Sequence, residues 1–424
     1  LIAFLLKGGF VFLQKALSAY ICCSLVKDMR IGFCNKYKNM KYSYYTNTSI
    51  GYLNNIITTE INKSVGALNR YTVVIGNAIL MLIYLACAVV INHKMTFLVM
   101  VLALLLFSLM RKLSRLSRKI SLLVSETNAQ VQSLLIQTIY NYKYIKATDS
   151  FAHIFKQLFG VISRNYVYKL KGAVLTVIPS SIIEPISIVF ISGLVIYYVG
   201  FQGRPIAEIF VVLVFFYKAF NCVFKFQSDW QKFNAGLGGL EVVIKADRVL
   251  DKNIEPSGTK IVTNIIKGVE LKGVNYSYGS SQVLFDINMN IPKDKSIGIV
   301  GESGAGKTTL FDIVTGMLKP QSGKLRIDDV DYSELELSSL RKIIGYVTQE
   351  PVIFNDTIAN NISFWECDSL EEICRKRIIN SAVLAGCDRF INKTEKGYGT
   401  VIGDKGVKLS GGQRQRIAIA RELF

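Results

Sequence analysis

The stretch Gly301-Glu302-Ser303-Gly304-Ala305-Gly306-Lys307-Thr308-Thr309 fits G-x-x-x-x-G-K-[ST], the pattern of a phosphate-binding loop. It follows an apolar run, 297–300, that predicts a β-strand, and it precedes residues 310–317, whose spacing predicts a helix. Glycines let the backbone approach phosphate oxygens, and the first amides of a helix favour an anion. Lys307 is expected to reach the β- and γ-phosphates of ATP, and the Thr308 hydroxyl to bind Mg²⁺. The stretch therefore predicts an α/β nucleotide-binding domain.

A second glycine motif, Leu409-Ser410-Gly411-Gly412-Gln413, lies directly before residues 413–423, which predict another helix. The N-terminus of that helix offers a second anion site, although the first loop alone can bind the phosphates of one nucleoside triphosphate.

The composition predicts a membrane portion in addition to the nucleotide-binding domain. The chain has 424 residues, too many for a single core, and 50% of them are apolar, with a mean hydropathy of +0.33. Apolar segments of about the length that spans a bilayer are residues 1–24, 66–91, 96–110, 172–200 and 206–226. We predict an α-helical transmembrane domain at 1–250, a polar linker at 251–267 and the nucleotide-binding domain at 268–424.

The net charge of +19 is distributed according to this topology. The two long connections between the apolar segments are basic, and the two short ones hold only Lys94 and Arg204. The first long connection has Lys27, Arg30, Lys36, Lys38, Lys41 and Lys63, and the second opens with Arg111, Lys112, Arg115, Arg118 and Lys119. The positive-inside rule places these connections, and the nucleotide domain with them, in the cytoplasm. Because residues 111–158 contain no Pro or Gly, we expect the membrane helix to continue there as a cytoplasmic extension.

Several residue types carry weaker signals. The eight cysteines form no C-x-x-C pair, so we expect thiols in a reducing compartment, with no disulfide and no metal site. The two histidines, His93 and His153, stand alone and are interpreted as surface residues. Glu184 lies in an apolar span beside Pro185, either as a functional carboxylate facing a cavity or as a structural hydrogen-bonding group.

With both glycine motifs behind a membrane region, the sequence resembles the ATP-binding cassette (ABC) transporters, specifically exporter-type half-transporters. The resemblance implies that the second motif is the signature loop, which caps the γ-phosphate of ATP held by the opposing subunit. It implies that Tyr278 stacks on adenine, and that Gln349, in Tyr346-Val-Thr-Gln349-Glu-Pro351, reaches Mg²⁺ and the attacking water. The nucleotide-binding residues are then Tyr278, Gly301, Glu302, Ser303, Gly304, Ala305, Gly306, Lys307, Thr308, Thr309, Gln349, Ser410, Gly411, Gly412 and Gln413, with Thr308 and Gln349 as the metal-binding residues.

Departures from the family pattern are few. Asp404 replaces the more usual Glu in 400–406, which looks like the exporter cross-loop. Asp294 and Asp329 stand where the family often has Gly, and we expect both to lie in turns, whose geometry Asp tolerates. The family also has six membrane helices, a Walker B Asp, a catalytic Glu and a switch His. We expect a chain truncated at both ends that has the last five membrane helices and none of these catalytic residues. Gln349 is expected to assist ATP hydrolysis.

The function implied by the resemblance is ATP-driven export of a substrate. ATP binding closes a dimer of nucleotide domains, and hydrolysis resets it. The cofactors are ATP and Mg²⁺, and the partners are a second half-transporter, identical or different, membrane lipid and the transported substrate, with no nucleic acid. The expected location is the bacterial plasma membrane. The alternatives are a non-transporting or degenerate ABC subunit and a chromosome-type DNA-binding ATPase, which would carry heptads that the apolar spans lack.

Overall fold

A computed structural model describes residues 2–91, 93–203 and 205–424, with the side chains of some helical positions, Glu184 among them, left out. The two alternatives for Glu184 therefore lie outside the described residues. The chain forms two compact units, Leu1–Glu255 and Pro256–Phe424, whose division falls within the predicted linker at 251–267. The last helix of the first unit continues to Lys252, so the irregular part of the linker begins at Asn253.

The first unit is helical in its described part. Its helices are α1 (Ile2–Lys38), α2 (Tyr42–Thr46), α3 (Ile50–Asn55), α4 (Ile61–Ile91), α5 (His93–Tyr140), α6 (Tyr142–Ala147), α7 (Phe151–Val195) and α8 (Ile206–Lys252), with π-helical segments at Ile56–Glu60 and Ile196–Phe201. Helix α5 has 48 residues. At about 1.5 Å per residue it is roughly 70 Å long, more than twice the thickness of a bilayer core. The helix predicted to continue through 111–158 does continue as far as Tyr140, and the rest of that segment belongs to α6, a short turn and the start of α7.

Two described helical stretches, Leu5–Lys38 and Ile50–Val90, are long and apolar enough to cross a membrane, and Pro185–Phe201 is a shorter apolar helix. The first stretch exposes large apolar side chains such as Phe10, which is 74% exposed, as a helix facing lipid would. The predicted spans 1–24, 66–91 and 172–200 overlap these three. Parts of the predicted spans 96–110 and 206–226 have side chains outside the described set.

The helices of this unit pack through two apolar clusters and a stripe of small residues. One cluster joins α4, α7 and α8, and its buried residues are Leu85, Ala88, Leu194, Tyr198, Phe216 and Ala219. The other joins α1, α4 and α8 at the opposite end of α8, through Phe33, Ile56, Ile61, Val243, Ala246 and Leu250. Between them α8 comes close to α4, since a Cβ added at Gly236 would lie 2.7 Å from the Cβ of Ala67. A larger residue there would force the two helices apart.

The second unit contains an antiparallel sheet. Its strands are β1 (Gly268–Tyr278), β2 (Ser281–Pro292), β3 (Ser322–Ile327) and β4 (Val330–Asp331), in the order β2-β1-β3-β4. The expected turns at Asp294 and Asp329 are confirmed, with φ of 57° and 71° in the left-handed region. Asp328 fixes the start of β1, because its carboxylate accepts the amides of Ile266, Lys267 and Gly268 at 2.6–3.0 Å.

The predicted strand at 297–300 is wrong. These residues form no strand, and Val300 is 97% exposed. A strand requires a hydrogen-bonding neighbour, and the four described strands pair among themselves, with β1 between β2 and β3. An apolar run shows that a segment suits a sheet interior but does not supply the neighbour. The helix predicted at 310–317 is present as α9 (Lys307–Val314), shifted toward the phosphate loop.

The rest of the second unit is mainly helical and has its own core. Its helices are α10 (Leu337–Lys342), α11 (Ile358–Ser363), α12 (Glu372–Leu384), α13 (Asp388–Ile391) and α14 (Gly411–Leu423). Buried isoleucines from most of these helices meet in one cluster. Arg421 of α14 connects this cluster to nearby segments of the same unit, because its guanidinium donates to the carbonyls of Asn361 at 2.7 Å and Val352 at 2.9 Å. Burial lowers the pKa of Arg421.

The expectation of no disulfide is also wrong, since Cys367 and Cys374 are joined by one. Their Cα atoms are 6.1 Å apart, within the usual range for a disulfide. Asp368 turns the chain between them, because its carboxylate and carbonyl accept the amides of Leu370 and Glu371. The spacing of the two cysteines does not reveal this turn, so their pairing was not predictable from the sequence. The other six cysteines are free thiols, as expected.

Candidate nucleotide site

The phosphate loop lies between β2 and α9, and two glycines set its shape. Gly304 and Gly306 have φ of 87° and 86°, a region that residues with a Cβ rarely adopt. A Cβ at Gly306 would also lie 2.9 Å from Cδ2 of Leu284 and 3.1 Å from the carbonyl oxygen of Val283, both on β2. The loop therefore turns into α9 while pressed against the sheet, which only glycine permits at position 306.

Lys307 is the first residue of α9 and lies across the loop. Its ammonium donates to the carbonyl of Gly301 at 2.8 Å and to that of Glu302 at 2.7 Å. Thr308 is exposed, whereas Thr309 is 7% exposed and packs inward. No side chain caps the first amides of α9. A positive charge and uncapped helix amides at one place make this loop suited to a phosphate group.

The second glycine motif forms a differently built helix start. Ser410 is the N-cap of α14: its hydroxyl accepts the Gln413 amide at 3.3 Å, and the Gln413 side chain accepts the Ser410 amide at 2.8 Å. Gly411 and Gly412 are exposed, and a Cβ on either would meet no atom within 4 Å. The predicted helix at 413–423 is confirmed and begins at Gly411. Its N-terminus is an open, preformed surface.

Tyr278 is the last residue of β1, and its side chain is 46% exposed. Tyr276 meets its ring edge to face, at 5.0 Å between centroids and 82° between planes. Burial, followed by the neighbouring Tyr278, raises the pKa of Tyr276. Tyr276 is thus the buried partner, and Tyr278 is the exposed ring on which a flat group could stack.

Gln349 is exposed in an irregular segment, and within the described part of the chain no hydrogen bond joins it to the phosphate loop. Its segment is instead linked through Tyr346. The Tyr346 hydroxyl lies 3.3 Å from Oδ1 of Asp312 on α9, and the Tyr346 amide donates to Glu422 of α14 at 3.0 Å. The structure thus brings the glutamine segment to the phosphate-loop helix without placing the glutamine itself.

Asp312 is a functional candidate that sequence reasoning missed. It is 7% exposed, and burial raises its pKa while the hydrogen bond from Tyr346 opposes that rise. In the sequence it is an ordinary polar residue of a helix, because its partner lies in a distant segment.

The two helix N-termini are not joined within one chain. The end of α14 that contacts the Tyr346 segment is Glu422, and Ser410 lies at the other end of that helix. At 1.5 Å per residue those two residues are separated by about 18 Å along the axis. Among the described residues, no hydrogen bond connects Ser410 to the loop of Lys307.

Comparisons with known proteins agree with this architecture. The family described as ABC transporter transmembrane region matches residues 1–222, and the family described as ABC transporter matches residues 284–424. The ATP-dependent lipid A-core flippase of Syntrophus aciditrophicus is 26% identical over 432 residues, covering 100% of this chain and 70% of the flippase. The heterocyst differentiation ATP-binding protein HepA of Nostoc sp. is 30% identical over 398 residues, covering 91% of this chain and 63% of HepA.

A solved structure of a bacterial Atm1-family ABC exporter with ATP bound has the same fold, with a TM-score of 0.84 at 19% identity, over 98% of this chain and 73% of that one. The transmembrane family match covers more than half of this chain, and the second match covers both glycine motifs. The chain therefore belongs to the ABC transporter family, as an integral membrane half-transporter of the ATP-driven exporter type with its membrane and ATP-binding domains in one polypeptide.

Proposed function

We propose that two half-transporters pair so that each phosphate loop binds ATP and the Ser410 loop of the opposite chain closes over it. The observation that carries this is the open helix start at Ser410, which is preformed and which no hydrogen bond among the described residues joins to its own chain's phosphate loop. A helix N-terminus with exposed glycines lets another backbone or a phosphate approach closely. Two such loops, one from each chain, would give two composite sites.

Within each site we assign the following roles. Lys307 exchanges its two carbonyl contacts for phosphate oxygens, which are stronger partners because they are charged. The exposed Thr308 hydroxyl and the Gln349 side chain are the candidate Mg²⁺ ligands, and the bound ion would neutralise charge on the phosphates. Tyr278 offers its exposed ring to adenine. The Tyr346 link to Asp312 would let the glutamine segment respond to movement of α9.

The proposed substrate is a lipid, moved from the cytoplasmic leaflet of a bacterial inner membrane. The flippase relatives are named for a lipid substrate, and the membrane unit here exposes apolar side chains over its first long helix. The basic connections support a cytoplasmic location for the nucleotide unit, where ATP is available.

The test is lipid movement in reconstituted vesicles. The protein would be reconstituted with a fluorescent phospholipid in both leaflets, and the fraction of label open to chemical quenching would be followed with and without ATP. We expect an ATP-dependent change with the natural sequence and with Lys319→Ala, a control lysine on the surface of the same unit. We expect none with Lys307→Ala. ATP binding without lipid movement in the natural protein would favour a regulatory subunit instead.

A further inference from the structure

The membrane unit contains a basic cavity that the nucleotide chemistry does not use. It has a volume of about 410 Å³ and lies between α4, α5, α7 and α8. Four cationic residues line it, and they come from three different helices: Lys63, Arg70, Lys169 and Lys232. This volume is within the range of about 300–1,000 Å³ typical of small-molecule sites.

The charges of this cavity are only half compensated. Lys63 pairs with the fully buried Glu60 at 3.0 Å, and Arg70 pairs with Asp229 at 3.3 Å. Lys169 and Lys232 have no acidic partner among the residues that the structure describes. Both lysines are exposed at the cavity, where two ammonium groups without an acidic partner add a positive potential that favours an anion.

A buried hydroxyl adds an independent sign of a ligand. Ser117 lines the cavity and is 1% exposed, yet its Oγ has no hydrogen-bond partner among the residues whose side chains are described. Buried polar atoms of this kind are nearly always satisfied, so an unpaired one at a cavity wall points to an external partner. The nearby Ser121, by contrast, already donates to the carbonyl of Ala235.

Small residues keep the space open. A Cβ added at Gly66 would meet no atom within 4 Å, and one at Gly172 would meet only Cγ2 of Ile120, at 3.6 Å. Both glycines line the cavity. A larger side chain at Gly66 therefore has room to fill the cavity without pushing the helices apart.

The spans predicted from the sequence indicate that the cavity lies at the depth of lipid headgroups. Lys169 lies three residues before the predicted span 172–200, and Lys232 lies six residues after the predicted span 206–226. Lys63 and Arg70 flank the start of the span 66–91. The cations thus lie within about 10 Å, or two helical turns, of the cytoplasmic ends of the spans, where phosphate headgroups meet water.

We propose that this cavity binds the phosphate of an anionic lipid headgroup before translocation. Lys169 and Lys232 would be the principal phosphate partners, and Ser117 would donate a hydrogen bond to a phosphate oxygen. The inference rests on the proposed lipid translocation, which it extends by naming the headgroup chemistry and the residues that hold it.

The test measures lipid binding to the full chain in neutral detergent by native mass spectrometry, without ATP. The probes are phosphatidic acid and diacylglycerol, which share acyl chains and differ by the phosphate, and inorganic phosphate serves as competitor. We expect Lys169→Gln with Lys232→Gln to weaken phosphatidic acid binding roughly tenfold or more, because two charge-assisted contacts are lost. Gly66→Leu, which changes no charge, should weaken it as well. Lys38→Gln with Lys119→Gln, an equal charge change at exposed sites outside the cavity, should leave it unchanged.

Diacylglycerol should bind more weakly than phosphatidic acid and equally to all variants. Equal phosphatidic acid binding by the Lys169/Lys232 pair and by the control pair would overturn the site. So would competition by inorganic phosphate at concentrations similar to those of the lipid, since the ligand would then be free phosphate. Neither result bears on lipid movement in vesicles. Conversely, a natural protein that binds phosphatidic acid here but moves no lipid with ATP would overturn only the proposed function.

Discussion

Two helices of the nucleotide unit begin at glycine-rich loops, but the first amides of one helix are uncapped and those of the other are capped by side chains. At α9 the loop is packed on β2, its glycines have positive φ, and no side chain caps the helix. At α14 the residue before the helix has an ordinary extended conformation, and Ser410 and Gln413 cap each other. The first amides of α9 therefore remain available to bind an anion. The second is already satisfied and presents its glycines outward.

The difference supports the proposal that the first motif binds a nucleotide within its own chain and that the second meets a partner subunit. An uncapped N-terminus gains most from an added anion, since its orphan amides lack protein partners. A capped N-terminus gains less but is rigid before contact, which lowers the entropy cost of closing an interface. Each of the following changes should affect one helix start and spare the other.

The largest expected effect concerns closure of the paired nucleotide units. Ser410→Arg should leave ATP binding by each chain nearly unchanged and abolish ATP-dependent closure, because a long side chain would block the open face of α14. Lys307→Ala should lose both, since a charge-assisted phosphate contact contributes about 1.5–3 kcal/mol and affinity should fall at least roughly tenfold. Closure would be measured by energy transfer between dyes at position 319 of the two chains, without Mg²⁺ to suppress hydrolysis.

Mixing the two variants supplies the control for that experiment. One of the two composite sites then has both working loops, so partial closure should return. If Ser410→Arg instead weakens ATP binding as much as Lys307→Ala does, the second loop acts within its own chain and the contrast between the two helix starts is lost.

A smaller effect is expected on folding at α9. Gly306→Ala should destabilise the nucleotide unit by about 1–3 kcal/mol, because the new Cβ meets β2 in addition to the strain of positive φ. Gly304→Ala has the same φ strain but open space, so it should cost only about 1 kcal/mol. Thermal unfolding of the full chain, followed by hydrogen exchange of the α9 amides, separates the two. Equal losses would show that close packing on β2 does not hold the loop.

The smallest expected effect concerns pH and Asp312. Its folded pKa is raised, so the stability it contributes is present below its unfolded pKa and is lost as pH rises through the folded value. Asp312→Asn, which keeps an acceptor for Tyr346, should therefore protect α9 amides relative to the natural protein at pH 7 and lose that advantage toward pH 4. Hydrogen exchange at matched pH would measure this, with the exposed Asp404→Asn as control. An advantage that persists at pH 4 would contradict the assignment.

Much of the fold was predictable because it depends on local pattern. The long helix α5 was predicted from the absence of Pro and Gly, and the start of α14 from the Ser410 motif. The strand predicted at 297–300 failed for the opposite reason, since a strand needs a neighbour that an apolar run cannot specify. The assignments of Tyr278, Gln349 and Thr308 remain predictions, because what they would touch is a bound nucleotide.

The sequence by itself determined the order of a membrane unit and a nucleotide unit, the two glycine loops, the lysine at the first and the cap at the second. Each of these features depends on residues that are close together in the sequence, so their spacing alone is enough to predict it. The tertiary structure decided the disulfide between Cys367 and Cys374, the link from Tyr346 to Asp312 and Glu422, and the basic cavity around Ser117. The two cysteines are seven residues apart, and the turn at Asp368 decides their pairing, whereas the Tyr346 link and the cavity join residues far apart in the chain. Their chemistry arises only when the packing of helices brings charges and hydroxyls within a few ångströms of one another.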